Sequence, residues 1–334
     1  MNHNMAKESS NVTMKAIVKN MQSVIALLVI FIVATCLCFK EGKNTFLDLR
    51  NLMNVLRAVS ETGIIAIGMT MILILGDIDL SVGSVVALVS TGCAYLMVNS
   101  GFAFVPAVLA SLLVGAAFGL FNGLCVTKLK LQAFIVTLAS MNIARGLARF
   151  WANGVGIPLT YGKGKGLAPV EFSVFQMRLG DIIPVPAIIF LILLAVFAFI
   201  MAKTRFGRQL YAIGGNKNAA FLSGIDVNHI KVLTFVLCGM LTSVAAMIHA
   251  AQISQGGPNE GQGYELNAVA ACAIGGTSLA GGKGTMVGTL IGALILGMID
   301  NILGLKGVNS NIQLVVKGLI IIVAVFLQAD KKKD

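Results

Sequence analysis

The chain has 334 residues, of which 57% are hydrophobic and only 12% charged, and its mean hydropathy is +0.89. A soluble domain is typically about 45–50% apolar and about 25% charged, so this composition excludes an ordinary soluble protein and indicates a polytopic membrane protein. The net charge of +11 does not require nucleic acid, because its distribution follows membrane topology.

A helix needs roughly 20 apolar residues to cross the bilayer core. Ten candidate spans appear in order: 22–39, 62–76, 84–98, 102–127, 131–151, 183–202, 231–252, 265–280, 285–304 and 310–328. The first apolar run exceeds a usual signal-peptide core and no A-x-A site follows it, so 22–39 reads as an uncleaved helix. The "VATC" at 33–36 does not make a lipoprotein site, because Thr35 is too large for the position before the cysteine. Within 40–61, "FLDLRNLMNVLRAV" has helical period and predicts a helix lying along the outer interface. Residues 152–182, rich in Gly, Pro and Lys, predict an exposed outer loop. The spans 62–76, 84–98 and 265–280 are short and glycine-interrupted, which predicts broken or re-entrant helices.

Orientation follows from Lys and Arg. With the N-terminus inside, the cytoplasmic segments hold Lys7, Lys15, Lys19, Lys128, Lys130, Lys203, Arg205, Arg208, Lys217, Lys231, Lys283 and Lys331–Lys333, against eight basic residues outside. Arg145, Arg149 and Lys317 fall within helices. Both termini are therefore expected in the cytoplasm. The predicted organisation is an inner tail (1–21), one transmembrane domain (22–328) with a cytoplasmic loop at 203–230, and a second inner tail (329–334).

The stretch "GDIDLSVG" (76–83) places Asp77 and Asp79 in apolar surroundings. A charge at mid-membrane costs at least ~2.5 kcal/mol, so such residues mark polar pathways or are capped and paired. Gly76 and Gly83 permit a helix break, and Asp79 or Ser81 can accept the amides it frees. A faint internal match aligns 76–88 with 263–276, setting Asp79 near Glu265, and 119–124 with 297–303, setting Asn122 near Asn301. Five helices separate the matching points, which inverts the second copy relative to the first. The candidate pathway residues are Asp79, Ser81, Asn122, Glu265, Asp300 and Asn301. Pairing of the carboxylates with Arg145 or Arg149 is the competing structural expectation. The set suits neutral hydrogen-bonding solutes; no ring of Lys or Arg is present for anions and no repeated filter for ions.

The inner loop is basic and glycine-rich. "NKNAAFLSGI" (216–225) predicts a short helix capped by Asn216 and stopped by Gly224, and "RFGRQLYAIGG" (205–215) a turn and linker. Such a helix suits docking in a groove of another protein. "GGTSLAGGKG" (275–284) approaches a P-loop, but Thr277 stands where Gly is required and Gly284 where Ser or Thr would bind magnesium. The six cysteines (Cys36, Cys38, Cys93, Cys125, Cys238, Cys272) and His3, His229 and His249 show no metal-ligand spacing. No cofactor and no catalytic residue are expected, and any ATP hydrolysis belongs to a separate subunit. An ion-coupled carrier of a small neutral solute is the alternative, and an intramembrane enzyme using Asp77 and Asp79 a more distant one.

Three separated motifs in order, "GDIDLSVG", "TRFGRQLYAIGGN…AA…SGI" and "GYELNAVAACAIGGTSLAGGKGT", resemble the membrane permease subunit of bacterial monosaccharide ABC importers of the ribose and galactose type. The likeness runs over roughly residues 20 to 328. It implies a pair of permease copies in the bacterial inner membrane, a periplasmic sugar-binding protein and a cytoplasmic ATP-binding subunit. It also implies that the ATPase is contacted through Arg205, Gly207, Arg208, Gly214, Gly215, Asn216, Ala219, Ala220 and Gly224. The family's first motif usually reads G-G-I/T-D-L-S; here Asp77 takes the place of its second glycine. Affinity in such importers lies mostly in the binding protein, which fits a weakly polar channel.

Overall fold

Among the described residues the chain folds into twelve α-helices. The computed structural model describes residues 22–40 and 43–328, so the two expected tails lie outside the described residues. In chain order the helices are α1 (Gln22–Leu37), α2 (Leu49–Ile74), α3 (Val82–Val98), α4 (Phe104–Thr127), α5 (Ala133–Trp151) and α6 (Val185–Lys203). There follow α7 (Arg205–Gly215), α8 (Lys217–Leu222), α9 (Val227–Ile253), α10 (Tyr264–Ile274), α11 (Met286–Leu305) and α12 (Ser310–Gln328). A helix occupies each of the ten expected segments. Five of them, α2, α4, α6, α9 and α11, are long and apolar enough to cross a membrane by length and composition. With 19 residues α5 is long enough, yet it is not among these five.

Two expectations about the outer surface change. The segment 49–61 is no separate interfacial helix. Asp48 caps Arg50 and Asn51 through their amides (2.8 and 3.3 Å), and α2 then runs unbroken for 26 residues. No helix breaker intervenes, and from Val55 onward its apolar side is buried. The 152–182 loop is also more structured than its composition suggests. Ile157–Pro158 pairs antiparallel with Gln255–Gly256, and a 3-10 turn, Val170–Gln176, buries Phe172 against Phe104 and Phe175.

The core is a contiguous cluster around α2, which is buried along most of its length between α9, α6, α10 and α11. Close crossing of α4 and α9 rests on small residues: Ser111, Gly115, Gly119 and Gly123 recur every fourth residue on α4. A side chain on Gly119 would occupy the space of the Phe235 carbonyl, and one on Gly239 that of the Gly115 carbonyl. Lipid supplies no hydrophobic drive between helices, so backbone proximity of this kind replaces it. Large apolar side chains face outward instead, among them Leu113 and Phe199.

Two long helices are each followed by a non-helical stretch and a shorter helix. After α2, residues 75–81 lead into α3; after α9, residues 254–263 lead into α10. Gly76 starts the first stretch with φ +78°, a conformation that a side chain resists. The short span expected at 265–280 is shorter still: α10 stops at Ile274, where Gly275 and Gly276 turn the chain into a loop reaching Thr285. That loop follows a helix, not the strand a nucleotide-binding loop needs.

Candidate functional site

The first non-helical stretch gathers three of the six predicted pathway residues. Asp79 accepts the Ser81 amide (2.8 Å) and hydroxyl (2.6 Å), and Asn122 of α4 donates to the Ser81 oxygen (3.0 Å). All three are buried, and the Asn122 Oδ1 has no partner among the described residues. The cap that the motif suggested does not form: Ser81 stands at the start of α3 with no side-chain bond to the helix amides, and Asp79 holds Ser81 itself. Asp77 forms an ion pair with Lys231 of α9, at 2.5 Å, with both side chains mostly buried.

The other three residues lie in separate settings. Glu265 packs its carboxylate directly on Gly83 of α3 and has no hydrogen-bond partner among the described residues. Asp300 pairs with Lys317 (2.9 Å), although its Oδ1 stays unpartnered. Asn301 exchanges two hydrogen bonds with Asn51 of α2, at 3.0 and 2.9 Å. Neither Arg145 nor Arg149 forms an ion pair with these carboxylates, contrary to the structural expectation. Instead Arg145 donates to the carbonyls of Pro258 (2.9 Å) and Glu260 (2.6 Å), and Arg149 to the Asn259 side chain (3.1 Å). Non-helical backbone at membrane depth needs such partners, because lipid offers none.

A buried network unanticipated from the sequence anchors the same segment. His249 of α9 lies between Glu61 of α2 (2.8 Å) and Glu260 (3.2 Å), and Tyr264 donates to Glu61 (2.7 Å). Glu61 lies 188 positions from His249, so spacing carried no signal for the pair. Only the presence of Glu61 inside an apolar run hinted at it. Among the described residues, no group of three or more His, Cys, Asp and Glu could hold a metal ion.

The 203–230 loop, expected in the cytoplasm, is a pair of helices. Here the expected turn and linker at 205–215 is α7, because Thr204 caps its start at the Gly207 amide (3.4 Å) and Leu210 and Ile213 bury one face. Glycines survive inside it because Gly207 abuts the Met201 carbonyl and Gly214 the Ile74 carbonyl. The short helix forms as expected: Asn216 caps α8 at the Ala219 amide (3.0 Å), and Gly224 follows it with φ +81°. Arg205, Arg208, Gly215, Asn216, Ala219 and Gly224 are exposed, whereas Gly207 and Ala220 are buried and Gly214 is partly so. The sequence reading missed Phe221 and Leu222, which stand 69% and 84% exposed at the end of α8. On its other side α7 touches the end of α2, just before the first interruption, and the loop between α10 and α11. The Tyr211 hydroxyl donates to the Gly284 carbonyl (2.7 Å), and the Gly282 amide donates to the Ile74 carbonyl (2.9 Å) beside Gly214. Burial holds the Tyr211 phenol above its usual pKa.

A polytopic helical chain with an exposed basic helix pair and two interrupted regions is a transporter's architecture. The family described as "Branched-chain amino acid transport system / permease component" matches residues 51–325. The chain belongs to this permease family. The permease is 42% identical to the ribose import permease protein RbsC of Escherichia coli strain K12, over 96% of both chains. It is also 42% identical to RbsC of Bacillus subtilis strain 168, over 87% of each. It is 36% identical to the xylose transport system permease protein XylH of Haemophilus influenzae, covering 87% of the permease and 92% of XylH. No solved structure matches the permease.

Proposed function

We infer that this chain is the membrane permease subunit of an ATP-binding cassette importer that carries a monosaccharide, ribose or a related sugar, across the bacterial inner membrane. The observation that carries this reading is the 42% identity to a ribose import permease over 96% of both chains. The subunit works with a cytoplasmic ATP-binding subunit, a periplasmic sugar-binding protein and a second copy of itself in the lipid bilayer.

One transmembrane domain spans residues 22–328 with ten crossings and both termini in the cytoplasm. In favour of an inverted five-helix repeat is a shared plan. Helices of 26 and 27 residues, α2 and α9, each precede a non-helical stretch and a shorter helix. Asp79, Ser81 and Asn122 form an inner constriction that parts during transport, while Glu265, Asp300 and Asn301 belong to the second half. Arg205, Arg208, Gly215, Asn216, Ala219 and Gly224 present the ATPase-docking surface, with Phe221 and Leu222 as its apolar centre. Gly207, Gly214 and Ala220 shape that surface from within. Contact of α7 with the Ile74 and Gly284 carbonyls supports transmission of docking to the first interruption and to the loop between α10 and α11.

The test is reconstitution. Liposomes holding the complete importer should accumulate D-ribose only with ATP inside and the binding protein outside, whereas the lone chain should neither hydrolyse ATP nor concentrate sugar. In an ion-coupled carrier, dissipating the proton gradient at constant ATP stops uptake. That result, or accumulation by the lone chain, would overturn the reading.

A further inference from the structure

An unusual polar face runs along α5. Asn142, Arg145 and Arg149 recur at helical spacing, so they share one side. Asn142 and Arg149 are exposed and Arg145 is half-buried. These residues explain why a 19-residue helix is not among the five apolar enough to cross a membrane. With Trp151 near the outer surface, Asn142 sits about 13 Å and Arg145 about 9 Å deeper, at 1.5 Å per residue. Beside this face lies the 258–260 segment that leads into α10, followed by Gln262, which is exposed, and Glu265, which is half-buried and unpartnered among the described residues.

Such a face cannot lie against lipid without a large penalty, and with Asn142 and Arg149 exposed the importer reading sets water beside it. Its chemistry narrows what that water carries. Two guanidinium groups stand with the carboxylates of Glu260 and Glu265, so the patch has no excess charge to attract an ion. Amide, guanidinium and carboxylate groups together offer donors and acceptors in a small area, which suits a neutral solute with several adjacent hydroxyls. Arg145 and Arg149 are already held by the 258–260 segment, which fixes their direction. Asn142 bonds only its own helix at Leu138, and Glu265 has an open carboxylate. These two have hydrogen-bonding capacity left for a ligand.

We propose that Asn142 and Glu265, backed by Arg145, Arg149 and Gln262, contact the monosaccharide as it crosses the outer half of the membrane. This rests on the importer reading and names the sugar-contacting wall within it. Two experiments test it together. In a Cys36→Ala background, Asn142→Cys should react with a charged, water-soluble thiosulfonate at least tenfold faster than Leu113→Cys, whose 69% exposed parent faces outward from α4. In the complete importer, Asn142→Leu and Glu265→Gln should slow D-ribose uptake at least fivefold. Binding-protein-stimulated ATP hydrolysis should stay within twofold of wild type, and Asn142→Gln should restore uptake. A general structural defect would lower both activities. Equal labelling of the two cysteines, or wild-type uptake in both variants while the wild-type importer accumulates ribose, overturns the proposal alone. A wild-type importer that accumulates L-leucine and no monosaccharide overturns the importer reading with it.

Discussion

Replacing Phe221 and Leu222 together by alanine should detach the ATP-binding subunit without disturbing the permease itself. The two side chains are 69% and 84% exposed, so they contribute little to this chain's own packing. Fully burying a Phe or Leu side chain contributes about 1.5–3 kcal/mol. Scaled by the exposed fractions, docking both in a groove contributes about 2.3–4.6 kcal/mol. At about 1.4 kcal/mol per tenfold change, the double variant should bind the ATPase about 10²–10³-fold more weakly. The thermal midpoint should barely move, because exposed substitutions away from caps usually stay within about 0.5 kcal/mol. The assay is a titration of purified ATP-binding subunit onto the permease in nanodiscs, read by its dissociation constant. Weakening by less than about threefold would refute the reasoning, because burial on that scale would then be absent.

Three other outcomes follow from the geometry. Lys231→Met leaves Asp77 buried without its partner and should destabilise the protein by about 3 kcal/mol in detergent unfolding, with most of the loss recovered in Asp77→Asn/Lys231→Met. His249→Ala removes the group between Glu61 and Glu260 and should cost about 3 kcal/mol or more by the same argument, read as earlier proteolysis of the 254–263 segment. Tyr211→Phe removes one hydrogen bond of about 1 kcal/mol; ATPase binding should persist while sugar moved per ATP hydrolysed falls.

Much of this arrangement was legible because it is local. Apolar run length located a helix at each of ten places, and Asn216 and Gly224 bounded α8 through contacts made within a few residues. The resemblance motifs also pointed to the exposed arginines of α7. Where the reading failed, the deciding contact was distant. Residues 205–215 looked like a linker because of three glycines, but packing of Leu210 and Ile213, and the close approach of Gly214 to Ile74, make them a helix. The interfacial helix expected before residue 62 merged into α2 because α9 and its neighbours bury that side.

By itself the sequence determined that this chain lives in a bilayer, roughly where its apolar helices lie, and that it carries polar residues too costly to leave facing lipid. Those properties depend on transfer energies and caps, which act residue by residue. Which polar groups meet was decided only by tertiary structure. Asp77 found Lys231, Asn301 found Asn51, His249 found Glu61, and Arg145 turned to backbone carbonyls instead of a carboxylate. In a medium that solvates nothing, each such group must bond whichever partner the helix packing delivers, and that packing joins residues far apart in the chain.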